Sequence, residues 1–200
     1  MFEIEELTLS TLFTSADTSH LKRVFFDIEG SLSYHGDIIQ LAYIITDWEF
    51  NIISEYNKYF RNFTQITEEE FNVHKICEEF LWANAGHHFS VELPNLNVFR
   101  QKNTMYITYT EFDIKKLNEQ CRINEIDEFK FYPKANSLKT VPLDVNYFDA
   151  FSLGGKRLHQ VVSKDQFSEA ITTTKKQLHD AFFDVYLTYI LCRDYYRSMK

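Results

Sequence analysis

The sequence predicts an α/β domain in which a mixed five-stranded sheet is flanked by helices. Three observations carry this expectation. Segments rich in Val, Ile and aromatic residues alternate along the chain with segments of helical periodicity. Only 5 glycines and 3 prolines punctuate 200 residues, which favours long regular elements over tight turns. The hydrophobic fraction of 44% is that of a globular protein, and the length suits one domain with a full core but not two.

The elements follow in order. Residues 21–28 (LKRVFFDI) form a buried strand that ends in carboxylates, and residues 37–48 (DIIQLAYIITDW) form a second. Residues 51–60 (NIISEYNKYF) form a third, joined so tightly to the second that the two must pair antiparallel. Residues 68–82 place Phe71, Ile76, Phe80 and Leu81 at helical spacing and predict one helix. Residues 86–101 carry no decisive pattern. The β-prone TMYITY of residues 104–109 is a fourth strand. Thr110, three residues before Asp113, suits a helix N-cap followed by FDIKKLNEQ. Residues 122–140 are polar and loop-like, 141–147 form a fifth strand, and Gly154-Gly155 make a turn that opens a short helix. A long amphipathic helix over 176–193 ends the chain. No repeat or linker marks a boundary, so a single domain over 1–200 is expected, with its core at 21–195.

The formal charge of −8 argues against a protein that merely coats nucleic acid, since such proteins are usually basic. It does not argue against a protein that gathers carboxylates around divalent cations, because bound metal offsets their charge. Cys77, Cys121 and Cys192 are odd in number and far apart, which fits a reducing compartment. The acidic start MFEIEELTLS lacks a signal-peptide pattern, and no run approaches the roughly 18 apolar residues of a membrane span. A soluble, cytoplasmic protein is expected.

Three segments concentrate the chemistry. In Val24–Gly30, residues two apart on a strand face one side, so Asp27 and Glu29 project together. Two close carboxylates repel unless a cation joins them, which points to a hard divalent metal; taken alone, the pair is better explained as a solvated strand end. Asp113 falls in the first turn of its predicted helix, where the helix dipole by itself would favour an acid. Asp184 lies between AFF and VYLTYIL, inside an apolar helix, where a carboxylate is costly unless paired or coordinated. His179 is five residues earlier, so a shared site places it in the loop or first turn leading into that helix. Asp180 shares the helix face of Asp184 and is an alternative ligand. Lys175 and Lys176 are candidates for contact with substrate phosphate, or simply a solvated helix start. Asp144, His87-His88 and His159 are expected to be structural or surface residues. Four carboxylates on three elements plus one imidazole are what two-metal phosphoryl hydrolysis needs: two cations about 4 Å apart, and a base with a pKa near 6.5.

With these motifs in hand, the sequence resembles the DEDDh exonucleases of the ribonuclease-H-like fold, which include the proofreading subunit of the bacterial replicative polymerase and the oligoribonucleases. Asp27-Ile28-Glu29-Gly30 matches the first motif, and Asp37–Ile44 the strand after it. His74-Lys75-Ile76-Cys77 resembles a further family feature. Phe112-Asp113 ends the second motif, and His179, Ala181 and Asp184 meet the third, H-x-A-x-x-D. The resemblance covers approximately residues 21–195. It implies that Asp27, Glu29 and Asp184 coordinate two Mg²⁺ or Mn²⁺ ions, that Asp113 completes the site, and that His179 deprotonates the attacking water. It also implies that Gly30, Ser31 and Leu32 lie beside the terminal nucleotide. Gly30-Ser31-Leu32 stand where the family often has Thr-Thr-Gly, and Thr108-Tyr109 where it often has His-Asn. Both departures bear on how that nucleotide is held.

The expected activity is 3′–5′ hydrolysis of single-stranded DNA to 5′-mononucleotides, with an oligoribonuclease-like action on RNA as the alternative. A polymerase or another nucleic-acid-processing protein is a candidate partner. A catalytically silent nucleic-acid- or polymerase-binding module is the reading from another class, and a missing carboxylate would have favoured it. None is missing.

Overall fold

In the computed structural model, residues 22–101, 104–129, 158–176 and 179–198 are described. Their architecture is organised around β1 (Lys22–Gly30), which is apolar on both faces in its first half because both faces are covered. Val24, Phe26 and Ile28 point to one layer, while Phe25, Asp27 and Glu29 point to the other. β2 (Ile38–Thr46) runs antiparallel to β1, and β3 (Ile52–Tyr59) antiparallel to β2. β4 (Thr104–Ile107) runs parallel to β1, so the sheet is mixed, in the order β3-β2-β1-β4. Four strands are present among the described residues; the expected strand at 141–147 lies outside them, as does Gly154-Gly155.

The helices are α1 (Glu68–His74), α2 (Glu78–Asn84), α3 (Phe89–Glu92), α4 (Glu111–Ile123), α5 (Leu158–Val161), α6 (Lys164–Thr174) and α7 (Ala181–Ser198). On one face of the sheet, α7 packs Phe183, Leu187 and Ile190 against Phe25, Ala42 and Ile44. On the other, Leu117 and Cys121 of α4 join Val24, Phe26, Leu41 and Phe99. The bidentate pair of Arg193 with Glu169, at 2.7 and 2.9 Å, fastens α6 to α7. The tight β2–β3 connection is held from beneath by Arg23. This fully buried guanidinium lies 3.9 and 4.1 Å from the ring centres of Trp48 and Phe50 and donates to the carbonyls of Asp47 and Trp48. No helix among the described residues is long and apolar enough to cross a membrane.

Three elements differ from the sequence expectation. β1 runs two residues past the expected Ile28, through Glu29 to Gly30. The helix expected over 68–82 is two helices: Lys75 adopts a left-handed conformation (φ 58°) and caps α1, while His74 Nδ1 accepts the amide of Ile76 at 3.0 Å. A side chain that satisfies an amide two residues ahead competes with helix continuation, which is why the periodicity misled. The last helix begins at Ala181, not 176, because Lys175 caps α6 in the same left-handed way (φ 56°).

Gly30 ends β1 at a bulge, where Ser31 N donates to Asp37 O at 3.0 Å. A Cβ on Gly30 would come far inside van der Waals contact distance of that same carbonyl oxygen, which is backbone and cannot swing aside. Gly30→Ala is therefore expected to lower unfolding stability by roughly 1–3 kcal/mol, as overpacking does. Urea denaturation measures this, and an unchanged midpoint would refute the close packing of the two strand ends.

Candidate active site

β1 outruns its parallel neighbour. The last β1–β4 pair is Phe25 with Ile107, so the edge of β1 beyond it needs another partner. α4 supplies one: Asp113 Oδ1 accepts the amide of Ile28 at 3.2 Å, taking the place of a strand carbonyl. Thr110 occupies the N-cap position of α4 but makes no side-chain capping bond; its hydroxyl donates to Asp113 Oδ2 at 3.0 Å. Thr110 is thus the N-cap residue the sequence predicts, but its hydroxyl orients the carboxylate of Asp113 and does not cap the helix amides. Asp113 is thereby buried beside the two acids of β1.

The third element arrives on the opposite face. α7 covers the side to which Phe25, Asp27 and Glu29 point, so Asp184 in its first turns meets the β1 carboxylates. His179 precedes α7 by two residues, in the approach to the helix, and has a left-handed backbone (φ 64°). That turn lets its amide donate to Asp184 Oδ2 at 3.2 Å. Glu29, His179 and Asp184 each offer one ligand atom, and these atoms all lie within 4.8 Å of one another.

The electrostatics are those of a site short of positive charge. Burial, then the neighbouring Asp113, Glu29 and Asp184, push Asp27 well above the usual carboxylate range. Burial and the charges of Asp184 and Asp113 do the same to Glu29. Burial raises Asp113 to about 7 and Asp184 to about 7. Asp184 Oδ1 is buried with no hydrogen-bond partner. A buried, unpartnered carboxylate oxygen among four acids fits a divalent cation with oxygen ligands, which Asp27, Glu29 and Asp184 would hold.

All five residues line one cleft of about 590 Å³. Leu32, Val73, Phe112 and Leu158 give it an apolar side. Of the three residues expected beside a nucleotide, Gly30 and Leu32 line the cleft and Ser31 does not. The backbone here is engaged within the protein. Ser31 O and Ser33 O accept from buried Lys116 Nζ at 2.6 and 2.8 Å, and Leu32 N donates to Glu70 Oε1 at 3.2 Å. Glu70 also completes the capping box of α1 through Thr67, tying that helix to the loop. The exposed Leu32 side chain lines the cleft, and the Tyr34 ring lies 5.1 Å from that of Phe112, tilted by 32°.

Several residues that build the site escaped sequence reasoning. Gln40, fully buried in β2, accepts Ala181 N at 3.1 Å and donates to Asp180 Oδ1 at 3.2 Å, pinning the approach to α7. Asp180, an alternative ligand by sequence, is not in the metal-ligand cluster. Tyr59 at 2.8 Å and Lys176 at 3.3 Å engage its other oxygen, and Phe182 N donates to Oδ1 at 3.1 Å. A lone Gln inside DIIQLAYI was the available signal. His87 and His88 are half-buried and not merely surface residues: His88 meets Asp37 at 2.9 Å and His87 meets Glu92 at 3.1 Å. Although burial acts the other way, His88 and the hydrogen bonds from Thr64 and Phe63 hold Asp37 well below the usual carboxylate range.

No protein-family model matches the chain, and no curated protein sequence does either. Solved structures do share its fold. Escherichia coli exonuclease I in complex with a dA16 oligonucleotide superposes with a TM-score of 0.62 at 17% identity, covering 88% of this chain and 43% of that one. The zinc-bound form of the E. coli exonuclease I–ssDNA complex gives 0.60 at 17%, over 86% and 40%. A moderately thermophilic exonuclease I from Methylocaldum szegediense gives 0.61 at 15%, over 86% and 40%. The chain therefore has the fold of an exonuclease I region and spans about two fifths of those chains.

The raised carboxyls fix the sign of a pH effect. Unfolded, these groups titrate near 3.8, whereas Asp113 and Asp184 titrate at about 7 in the fold. The folded state holds more protons between those values, so their contribution to stability falls as pH rises from about 4 to 7. A divalent cation binds the ionised form and reverses the loss. Mg²⁺ or Mn²⁺ at about a hundredfold excess over its Kd should raise the melting temperature by roughly 5–10 °C at pH 8, and by much less at pH 5. An equal rise at both pH values, or none, would overturn this account of the cluster.

Proposed function

We propose that the chain is a divalent-metal-dependent 3′–5′ exonuclease that shortens single-stranded DNA and releases 5′-mononucleotides. The observation that carries the proposal is the convergence of Asp27, Glu29, Asp113, Asp184 and His179 on one cleft, with an apolar side large enough for a base. The fold shared with exonuclease I, solved with dA16 and with bound zinc, supports the substrate class and the need for metal. When bound, two divalent cations would polarise the scissile phosphate and offset charge on the leaving oxygen.

The chain's own residues do the rest. Asp27, Glu29 and Asp184 hold the positive charge, and Asp113 fixes the end of β1 through Ile28 N so that Asp27 and Glu29 keep their facing. Leu32 and Phe112 pack on the terminal base, orienting the phosphate toward the carboxylates. A ring nitrogen of His179, adjacent to Glu29 and Asp184, takes a proton from the attacking water. The water oxygen bonds to phosphorus as the P–O3′ bond breaks. The proton passes from His179 to the departing 3′ oxygen or to solvent, which resets the base. The open end of the cleft lets the product nucleotide leave.

A 5′-labelled DNA oligonucleotide incubated with Mg²⁺ or Mn²⁺ should yield a ladder of shorter labelled strands, while a 3′ label is released at once as a mononucleotide. Asp184→Asn should reduce the rate to background. His179→Ala should lower it by about 10²- to 10⁴-fold, the range of a lost general base. If wild type shortens neither DNA nor RNA with either metal, the hydrolytic reading fails. If RNA alone is shortened, the choice of DNA fails and the mechanism stands.

A further inference from the structure

His179 is the shared wall between the cleft described above and a second one of about 390 Å³ on its far side. The second cleft is lined by Lys75, Lys175 and Lys176, by the rings of Tyr59 and Phe80, and by His74. Three lysines in one cleft contrast with a formal charge of −8 over the chain. The acid within it, Asp180, is already engaged by Lys176 at 3.3 Å, Tyr59 OH at 2.8 Å and Gln40 Nε2 at 3.2 Å. Lys75 donates to the neutral Asn72 Oδ1 at 3.3 Å and lies over the Phe71 ring, and both it and Lys175 are exposed. The balance of the cleft is positive.

The backbone here is unusual as well. Of the five non-glycine residues with positive φ among the described residues, three line this cleft: Lys75 at 58°, Lys175 at 56° and His179 at 64°. Lys75 and Lys175 both occupy the left-handed C-cap of a helix, where glycine is the residue that fits without strain. A positive side chain at a helix C-terminus suits the helix dipole, but the left-handed backbone at both positions would be met at lower cost by glycine. Strained non-glycine residues gathered on one cleft beside a candidate base are better explained by what their side chains bind.

We infer that the second cleft holds the DNA strand on the 5′ side of the scissile bond, with Lys75 and Lys175 on its next internucleotide phosphates and Tyr59 and Phe80 beneath a base. The inference rests on the exonuclease reading, which places the 3′-terminal nucleotide in the first cleft and leaves the rest of the strand to exit past His179. Lysine supplies phosphate contact without sequence preference. The edge-to-face pair of Tyr59 and Phe80, 4.8 Å apart with Phe80 part-exposed, supplies a stacking surface. His74 adds a fixed donor. Its Nδ1 accepts from Ile76 N, and burial lowers its pKa to about 4, so a neutral ring carries its proton on Nε2.

Glycine separates binding from folding in the test. The double substitution Lys75→Gly and Lys175→Gly should melt no lower than the parent, because glycine suits both backbones. It should bind a 5′-fluorescein-labelled dT12 strand roughly tenfold more weakly by anisotropy in EDTA. Two lost phosphate contacts should also flatten the slope of log K against log salt by about 1.4, at about 0.7 per contact. Lys75→Arg with Lys175→Arg should restore both affinity and slope. An unchanged affinity and slope in the glycine variant would overturn the assignment, even if the parent degrades DNA. Binding that shows these dependences in a protein that never shortens the strand would uphold the cleft and sink the nuclease reading.

Discussion

The constraint on which the rest of the structure depends is the crowding of four carboxylates around the end of one strand. Ligand atoms of Glu29 and Asp184 lie within 4.8 Å of each other. At an effective dielectric near 20, two full charges at that distance repel by about 3 kcal/mol. A whole domain is stable by only about 5–15 kcal/mol, so several such repulsions cannot all be carried at once. The site must take up protons or a cation, and the raised titration of all four groups states the same requirement from the other side.

The sheet topology creates that crowding and also makes it rigid. Because β4 stops beside Phe25, β1 projects beyond its parallel neighbour, and one carboxylate from each covering layer can reach its end. Asp113 comes from α4 on one face and Asp184 from α7 on the other. Neither is free to retreat. Asp113 is tied to Ile28 N and Thr110, and Asp184 follows a helix packed on Phe25 and Ala42. Two acids four residues apart then meet opposite fates. Asp180 is surrounded by donors from Gln40, Tyr59 and Lys176, whereas Asp184 keeps one oxygen with no partner. Under the proposed function, that difference in neighbours, more than any difference in exposure, assigns Asp184 to the metal and Asp180 to anchoring the approach to α7.

The sheet's first three strands, β4 and the acids Asp27, Glu29 and Asp184 stand out in the sequence, because each rests on a local pattern. Asp113 and the role of His179 rest chiefly on the family resemblance, since a helix start alone would account for an acid at 113. Strand alternation pairs Asp27 with Glu29, and an acid in an apolar helix flags Asp184. What was not legible depends on partners remote in sequence. Gln40 acts through residues 140 and 141 positions away, and Lys116 acts on carbonyls 83 and 85 positions back. The break between α1 and α2 was hidden for another reason. Apolar spacing over 68–82 continues through it, yet Phe71 and Phe80 turn out exposed, while a histidine side chain and a left-handed lysine end the first helix. Periodicity reports which residues could share a face, not whether the backbone continues.

The two sides of His179 are built on different principles, and this bears on specificity. On the side of the first cleft the loop after β1 is clamped. Lys116, whose burial lowers its pKa to about 8, takes the carbonyls of Ser31 and Ser33, and Glu70 takes the amide of Leu32. The polar backbone of this loop is consumed in holding it, and under the proposed function Leu32 and Phe112 offer the base an apolar contact. On the other side, exposed lysines and rings offer charge and stacking, which every nucleotide satisfies. Under the proposed function, such an arrangement suits an enzyme that accepts each nucleotide in turn and selects the form of the strand end, not its sequence.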